Sequence, residues 1–131
     1  MPRILLVEDN EESRDALCRR LERRGYDVVT ASDGEQGVMK AKSEDADLVL
    51  MDMNMPVLDG WQAARLIRAT EETRHLPIIG LTAHAMSGDR EKAIAAGCVD
   101  YHTKPVDFAR LMAQIETVLK QAAVKDRSAA N

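Results

Sequence analysis

Five residues able to do chemistry follow short apolar runs of the sequence: Glu8, Asp9, Asp52, Thr82 and Lys104. If the runs are parallel strands, their carboxyl ends meet at one edge of a sheet, where ligands bind in such folds. Three carboxylates, one hydroxyl and one ammonium group would share that edge. Each residue alone has a commoner explanation, since an acidic residue after a strand often caps a helix. Only their combination indicates a site.

Converging carboxylates need a counter-charge. Two like charges about 4 Å apart cost roughly 4 kcal/mol at an effective dielectric constant near 20. Lys104 offsets one carboxylate, and a hard cation suits the rest. Mg2+ favours a few carboxylates, with water and phosphate oxygens completing its shell. No histidine or cysteine stands among the acids at the strand ends, which argues against zinc.

A carboxylate nucleophile beside Mg2+ and a lysine suits phosphoryl transfer through an aspartyl phosphate. The hydroxyl of Thr82 would then donate to a phosphoryl oxygen. The sequence has no Gly-x-x-x-x-Gly-Lys loop, which argues against a site that cradles a nucleotide.

The elements that must position these residues alternate along the chain. Three of the apolar runs are apolar throughout, as strands covered on both faces are. Glycines at 25 and 97 end two helical patterns, and Asp-x-x-Gln at 33–36 and 59–62 predicts two helix starts. Strand–helix repeats predict an α/β fold with a parallel sheet and helices on both faces. The predicted strands are 4–7, 28–31, 48–51, 78–81 and 99–101, and the helices are 11–24, from 33, from 59, 87–96 and 108–119.

The composition is that of one globular domain. The chain has 131 residues, 45% apolar, with a net charge of −4, and lacks the basic footprint of nucleic-acid binding. No apolar run approaches a membrane span. Cys18 and Cys98 lack metal or redox spacing, as expected of reduced thiols in a cytoplasmic protein. We expect a domain over 1–121 and a disordered tail over 122–131, which is polar and has no periodicity.

Four motifs then carry a family resemblance: VEDN at 7–10, MDMNMP at 51–56 with DG at 59–60, LTA at 81–83 and DYHTKP at 100–105. In this order, over residues 2–121, the chain resembles the receiver domain of two-component response regulators. The resemblance implies a flavodoxin-like, doubly wound sheet of five strands in the order 2-1-3-4-5 with five helices. That order is the one known for a chemotaxis member of the family.

The resemblance also implies roles for the acidic residues. Asp52 would be the phosphoacceptor. Mg2+ would be bound by Asp9, Asp52 and the backbone carbonyl of Asn54, with Glu8 acting through water. Lys104 would contact the phosphoryl group, and the bond between Lys104 and the following proline is typically cis.

The resemblance further implies a switch. Thr82 would move toward the phosphoryl group, and the ring of Tyr101 would turn inward, changing a surface of the fourth helix, fifth strand and fifth helix. The alternative for Tyr101 is a partly exposed aromatic on a strand. Asn54 and His84 occupy positions that affect phosphoryl lifetime in the family, and His84 either lines the pocket mouth or lies exposed on a loop. His75 and His102 are expected to be exposed.

By the same resemblance, a sensor histidine kinase or a histidine phosphotransfer protein would donate the phosphoryl group from a phosphohistidine. The output would go to a downstream protein, without direct nucleic-acid contact or membrane insertion. The domain would signal rather than turn over a substrate, although it would catalyse its own phosphorylation and dephosphorylation. The chain's ends favour a stand-alone regulator, with a receiver excised from a hybrid sensor kinase as the alternative. Phosphorylation-dependent dimerisation stays open.

Three other classes fit less well. A haloacid-dehalogenase-type phosphatase needs an acidic residue where this chain has Asn54. An interaction module with a dead pocket would have lost Asp52, Thr82 or Lys104. A flavin-binding domain wants a Ser/Thr/Gly-rich loop where this chain has EDNEE at 8–12.

Overall fold

The computed structural model describes residues 2–55, 58–82 and 89–130, with the side chains of 89–90 and 123–130 left undescribed. Within these residues five strands alternate with five helices, as the sequence predicted. The elements are β1 (Arg3–Val7), α1 (Glu11–Arg23), β2 (Asp27–Ala31), α2 (Gly34–Ser43), β3 (Leu48–Asp52), α3 (Gly60–Ala69), β4 (Ile78–Thr82), α4 (Asp89–Ala95), β5 (Asp100–Thr103) and α5 (Phe108–Ala130).

The strands form one parallel sheet in the order β2-β1-β3-β4-β5, which confirms the predicted fold class and strand order. Their carboxyl ends are closely aligned, because Val7 pairs with Met51 and Thr82 pairs with Thr103. The ladder continues one residue further, where the backbone N–H of Lys104 donates to the carbonyl of Thr82 at 2.7 Å. This alignment brings the residues that follow the strands to one edge.

The sheet is covered on both faces, which explains why β3 is apolar up to its last residue. All five residues of β3 are buried, and its side chains alternate between two cores. Leu48 and Leu50 face the core that includes side chains of α1 and α5, whereas Val49 and Met51 face the core that includes side chains of α2, α3 and α4. Asp52 is therefore held at the end of a fully buried strand.

The helices begin where their capping residues predict. Asn10 caps α1, its Oδ1 accepting from the backbone N–H of Ser13 at 2.9 Å, so Asp9 is not consumed as a cap. Asp59 and Gln62 form a complete capping box at α3. These caps orient the segments that leave the acidic edge.

The carboxyl-terminal helix is longer than predicted. α5 continues to Ala130 in the structure, and the disorder expected of the tail from Ala122 stays a prediction. The segment 122–130 has no glycine or proline and contains four alanines, and alanine is the strongest helix former. At α4 the predicted start at Ser87 lies outside the described residues. No helix among the described residues is both long enough and apolar enough to cross a bilayer.

Candidate functional site

The three acidic residues predicted at the strand ends do lie together. Glu8 follows β1 and Asp52 ends β3, and one carboxylate oxygen from each of Glu8, Asp9 and Asp52 lies within 4.8 Å of the other two. Glu8 and Asp52 are buried, with 3% and 2% of their surfaces exposed, whereas Asp9 is open to solvent. The cluster is therefore a buried pair of carboxylates with an exposed third acid at its mouth.

Lys104 supplies the positive charge that the cluster requires. Its Nζ lies 2.7 Å from Glu8 Oε1 and 3.5 Å from Asp52 Oδ2. Burial alone would lower the pKa of Lys104, but the hydrogen bond to Glu8 and the charges of Asp52 and Glu8 outweigh it and raise that pKa. The Lys104–Pro105 peptide bond is cis, which confirms that prediction.

One lysine does not neutralise the pair. Burial, followed by the neighbouring Glu8, raises the pKa of Asp52 to about 7, although the backbone N–H of Asn54 and Lys104 act in the opposite direction. Burial also opposes ionisation of Glu8, yet Asp52 and Lys104 together lower its pKa. Lys104 lies closer to Glu8 than to Asp52, which agrees with the lowered pKa of Glu8 and the raised pKa of Asp52. Without a further cation, Glu8 is the more readily ionised member of the pair, and Asp52 is mostly protonated only below about pH 7.

The donor set fits a hard divalent cation. All three ligating groups are carboxylates, and oxygen donors suit Mg2+, Ca2+ or Mn2+ rather than zinc. Among the described residues, Glu8 Oε2 is a buried side-chain oxygen without a hydrogen-bond partner. A buried carboxylate oxygen in that condition is costly unless an ion or water meets it. The cluster could therefore hold a metal ion.

Asn54 connects the acidic cluster to the end of β4. Its backbone N–H donates to Asp52 Oδ1 at 3.0 Å, and its side-chain Oδ1 accepts from the hydroxyl of Thr82 at 3.2 Å. Thr82 is buried, with 1% exposed. Sequence reasoning placed Thr82 at this edge but missed its contact with Asn54, because no periodicity reports which way a side chain after a strand will turn.

Tyr101 and His102 point to opposite sides of β5. Tyr101 is half-buried against the core shared with α2–α4, and its role in a switch stays a prediction. His102 was expected to be exposed, and that was wrong: only 5% is exposed, and its Nε2 is hydrogen-bonded to Gln114 on α5. The strict alternation of a strand is the signal that could have revealed this. His75 is exposed, as expected, and His84 lies outside the described residues.

Two residues support the site in ways that the sequence analysis did not assign. Arg14 on α1 donates from Nη1 to the backbone carbonyl of Glu8 at 3.0 Å, which fixes the chain just beyond β1. A Cβ at Gly60 would lie 2.3 Å from the carbonyl oxygen of Asp52. Only glycine permits this close approach of α3 to the end of β3, and the Asp-Gly pair at 59–60 was its signal.

A parallel sheet with a buried acidic cluster and a lysine at its carboxyl edge defines a class of phosphoryl-signalling domain. The chain belongs to the response regulator receiver domain family, whose model matches residues 4–116. This match confirms the family resemblance and argues against a dehalogenase-type phosphatase or a flavin-binding domain.

Relatives include both stand-alone and multidomain proteins. The chain is 33% identical to the polar-differentiation response regulator DivK of Brucella ovis, covering 91% of this chain and 97% of DivK. It is 39% identical to hybrid signal transduction histidine kinase I of Dictyostelium discoideum over 96% of this chain, but spans only 8% of that kinase. A second Dictyostelium hybrid kinase is matched over 3% of its length.

Two solved structures bear on the site. The receiver domain of sensor histidine kinase PA1611 from Pseudomonas aeruginosa, with a magnesium ion coordinated in its active-site cleft, is 43% identical over 91% of this chain and 98% of its own, with a TM-score of 0.84. The Ssk1 receiver domain of Saccharomyces cerevisiae, solved with the histidine phosphotransfer protein Ypd1, is 32% identical over 87% of this chain and 86% of its own, with a TM-score of 0.80.

Proposed function

We propose that Asp52 accepts a phosphoryl group from a phosphohistidine on a sensor histidine kinase or a histidine phosphotransfer protein. The observation that carries the proposal is the contact of Lys104 with both Glu8 and Asp52 inside the acidic cluster. Acids this close together are held near a cation, and the pair of lysine and metal is what phosphoryl transfer to a carboxylate requires.

In the proposed site, Asp9, Asp52 and the backbone carbonyl of Asn54 would hold Mg2+, and Glu8 would contact it through water. The similar receiver domain of PA1611, solved with a magnesium ion in its active-site cleft, supports this choice of metal. Bound there, Mg2+ would supply positive charge to the phosphoryl oxygens and favour the ionised form of Asp52. Glu8 Oε1 contacts Lys104, and Glu8 Oε2, which has no hydrogen-bond partner among the described residues, is available to a water in such a shell.

Transfer of the phosphoryl group to Asp52 needs little covalent chemistry from the protein beyond the Asp52 nucleophile. An oxygen of ionised Asp52 attacks phosphorus, the bond between phosphorus and the donor's imidazole nitrogen breaks, and the nitrogen keeps the electron pair. The ammonium of Lys104 stabilises the charge on the equatorial oxygens, and the hydroxyl of Thr82 donates to one of them once the group is in place. In self-catalysed dephosphorylation, water later attacks phosphorus, the bond between phosphorus and the Asp52 oxygen breaks, and inorganic phosphate leaves Asp52 as a carboxylate.

Phosphorylation would change the surface formed by α4, β5 and α5, with the side chains of Thr82 and Tyr101 turning together. The reader of this surface would be a downstream protein. The near-complete match to DivK supports a stand-alone regulator, and the hybrid-kinase matches support an internal relay step as the alternative. The Ypd1 complex of a similar receiver supports a phosphotransfer protein as donor. We place this exchange in the cytoplasm, and dimerisation on phosphorylation is a further proposal.

The test is site-specific labelling. The protein is incubated with acetyl phosphate and Mg2+, and the modified residue is mapped by mass spectrometry. We expect one phosphoryl group on Asp52, lost in Asp52→Asn and in EDTA. Asp45→Asn is the matched control, since Asp45 is exposed and has a φ of 51° that asparagine tolerates. Labelling that survives Asp52→Asn, or that is absent from the unmodified chain, would contradict the proposal.

The switch is tested by NMR with beryllofluoride, which stands in for the phosphoryl group. We expect Tyr101 and α5 to change their resonances together. If only the acidic edge responds, Tyr101 has no part in the switch. Sedimentation of the same sample measures whether dimerisation accompanies the change.

A further inference from the structure

The side chain of Asn54 stands between the proposed acceptor and the proposed switch. Through its backbone it holds Asp52 Oδ1, and through its carboxamide oxygen it holds the hydroxyl of Thr82. One residue therefore contacts both partners of the contact that phosphorylation would create. The metal ligand proposed at Asn54 is its backbone carbonyl, so metal binding does not require the carboxamide.

A hydroxyl group has a single hydrogen to donate. In this structure that hydrogen of Thr82 is directed to Asn54 Oδ1. A phosphoryl oxygen on Asp52 can receive it only after the bond to Asn54 is broken. The two acceptors, carboxamide and phosphoryl oxygen, therefore compete for the same donor.

The backbone of Thr82 is held by hydrogen bonds within the sheet. Its carbonyl accepts from the N–H of Lys104 at 2.7 Å, and it is paired with Thr103 across the ladder. The preceding Leu81 is bonded to Met53 at 2.8 Å. A change at the Thr82 side chain leaves these backbone bonds to both neighbouring strands intact.

We infer that Asn54 is a positioning residue that restrains the switch: its carboxamide holds the Thr82 hydroxyl in the unphosphorylated state and so sets how completely phosphorylation shifts the domain. The inference rests on the proposed function. It concerns the balance between two states, and it is separate from the lifetime of the phosphoryl group. A ligand or substitution that favours one state moves that balance by its differential free energy.

The experiment is a double-mutant cycle with Asn54→Ala, Thr82→Val and the double variant. Apparent affinity for beryllofluoride is measured at saturating Mg2+ by NMR titration. We expect Asn54→Ala to tighten that affinity by roughly two- to tenfold, the range that loss of one neutral hydrogen bond gives. In the Thr82→Val background, which has no hydroxyl to restrain, the same substitution should change the affinity by less than about 1.5-fold.

A spectroscopic readout separates restraint from a merely structural effect. The side-chain amide resonances of Asn54 should shift when beryllofluoride is added, and Thr82→Val without beryllofluoride should shift them the same way. Equal tightening by Asn54→Ala in both backgrounds, or none in either, would overturn the inference. Acetyl-phosphate labelling of Asp52 in every variant shows that the proposed function stands in that case. Absence of labelling in the unmodified chain would overturn both.

Discussion

Asp52→Asn should stabilise the metal-free protein at pH 8, although it removes the proposed acceptor. Only 3% of the Asp52 side chain is exposed, and burial together with Glu8 raises its pKa to about 7. In the unfolded chain an aspartate ionises near pH 3.9. The folded state therefore resists a charge that the unfolded state accepts readily.

The size of the stability change and its pH range follow from the difference between the pKa of Asp52 in the folded and unfolded states. Below about pH 4 both states hold the proton, and Asp52 causes no loss of stability. Between about pH 4 and pH 7 only the unfolded chain ionises, so the free energy of unfolding falls by about 1.4 kcal/mol per pH unit. Above pH 7 the accumulated loss is roughly 4 kcal/mol. Asparagine is neutral throughout and leaves Lys104 paired with Glu8.

The assay is urea unfolding in EDTA, followed by circular dichroism at pH 4 and pH 8, with Asp45→Asn as the control. We expect Asp52→Asn to gain roughly 2–4 kcal/mol at pH 8 and almost nothing at pH 4, while the control changes little at either pH. A gain of the same size at both pH values would show that packing, and not charge, is responsible. A loss at pH 8 would refute the reasoning.

Four further outcomes are expected. Mg2+ should bind about tenfold more weakly at pH 6 than at pH 8 by calorimetric titration, because a proton on Asp52 competes with the cation. Lys104→Met should lower stability by about 1–3 kcal/mol at pH 8 in urea, with Mg2+ restoring much of the loss, since Glu8 loses its ion-pair partner. Gly60→Ala should lower the melting temperature by several degrees, because its Cβ meets the Asp52 carbonyl at 2.3 Å. His102→Leu should speed hydrogen exchange in β5 and α5, because it removes the side-chain hydrogen bond between His102 on β5 and Gln114 on α5.

The position of the site could be predicted from the sequence, because the carboxyl ends of parallel strands lie at one edge of the sheet. Runs apolar at every position predicted strands covered on both faces, and the residues after them had to share one edge. Glu8, Asp9, Asp52 and Lys104 meet there in the structure. The order of the strands came from the family resemblance, since composition and spacing alone do not determine which strands are neighbours.

Three features could not be read in that way, each for a physical reason. The preference of Lys104 for Glu8 over Asp52 depends on side-chain reach across the sheet edge. The bond between Asn54 and Thr82 depends on rotamers that spacing does not encode. The burial of His102 depends on a partner on α5 that satisfies its ring, and polarity alone argued for exposure.

The ion pair between Lys104 and Glu8 joins residues 96 positions apart. Their contact can form only when the last strand has joined a sheet that already contains the first. The compensating charge of Lys104 therefore reaches the acidic cluster only with the last strand, whereas the pairing of β1 with β3 already brings Glu8 and Asp52 together. Interactions absent from the folding transition state alter mainly the rate of unfolding. We expect this ion pair to slow unfolding of the assembled domain and to have little effect on how quickly a new chain folds.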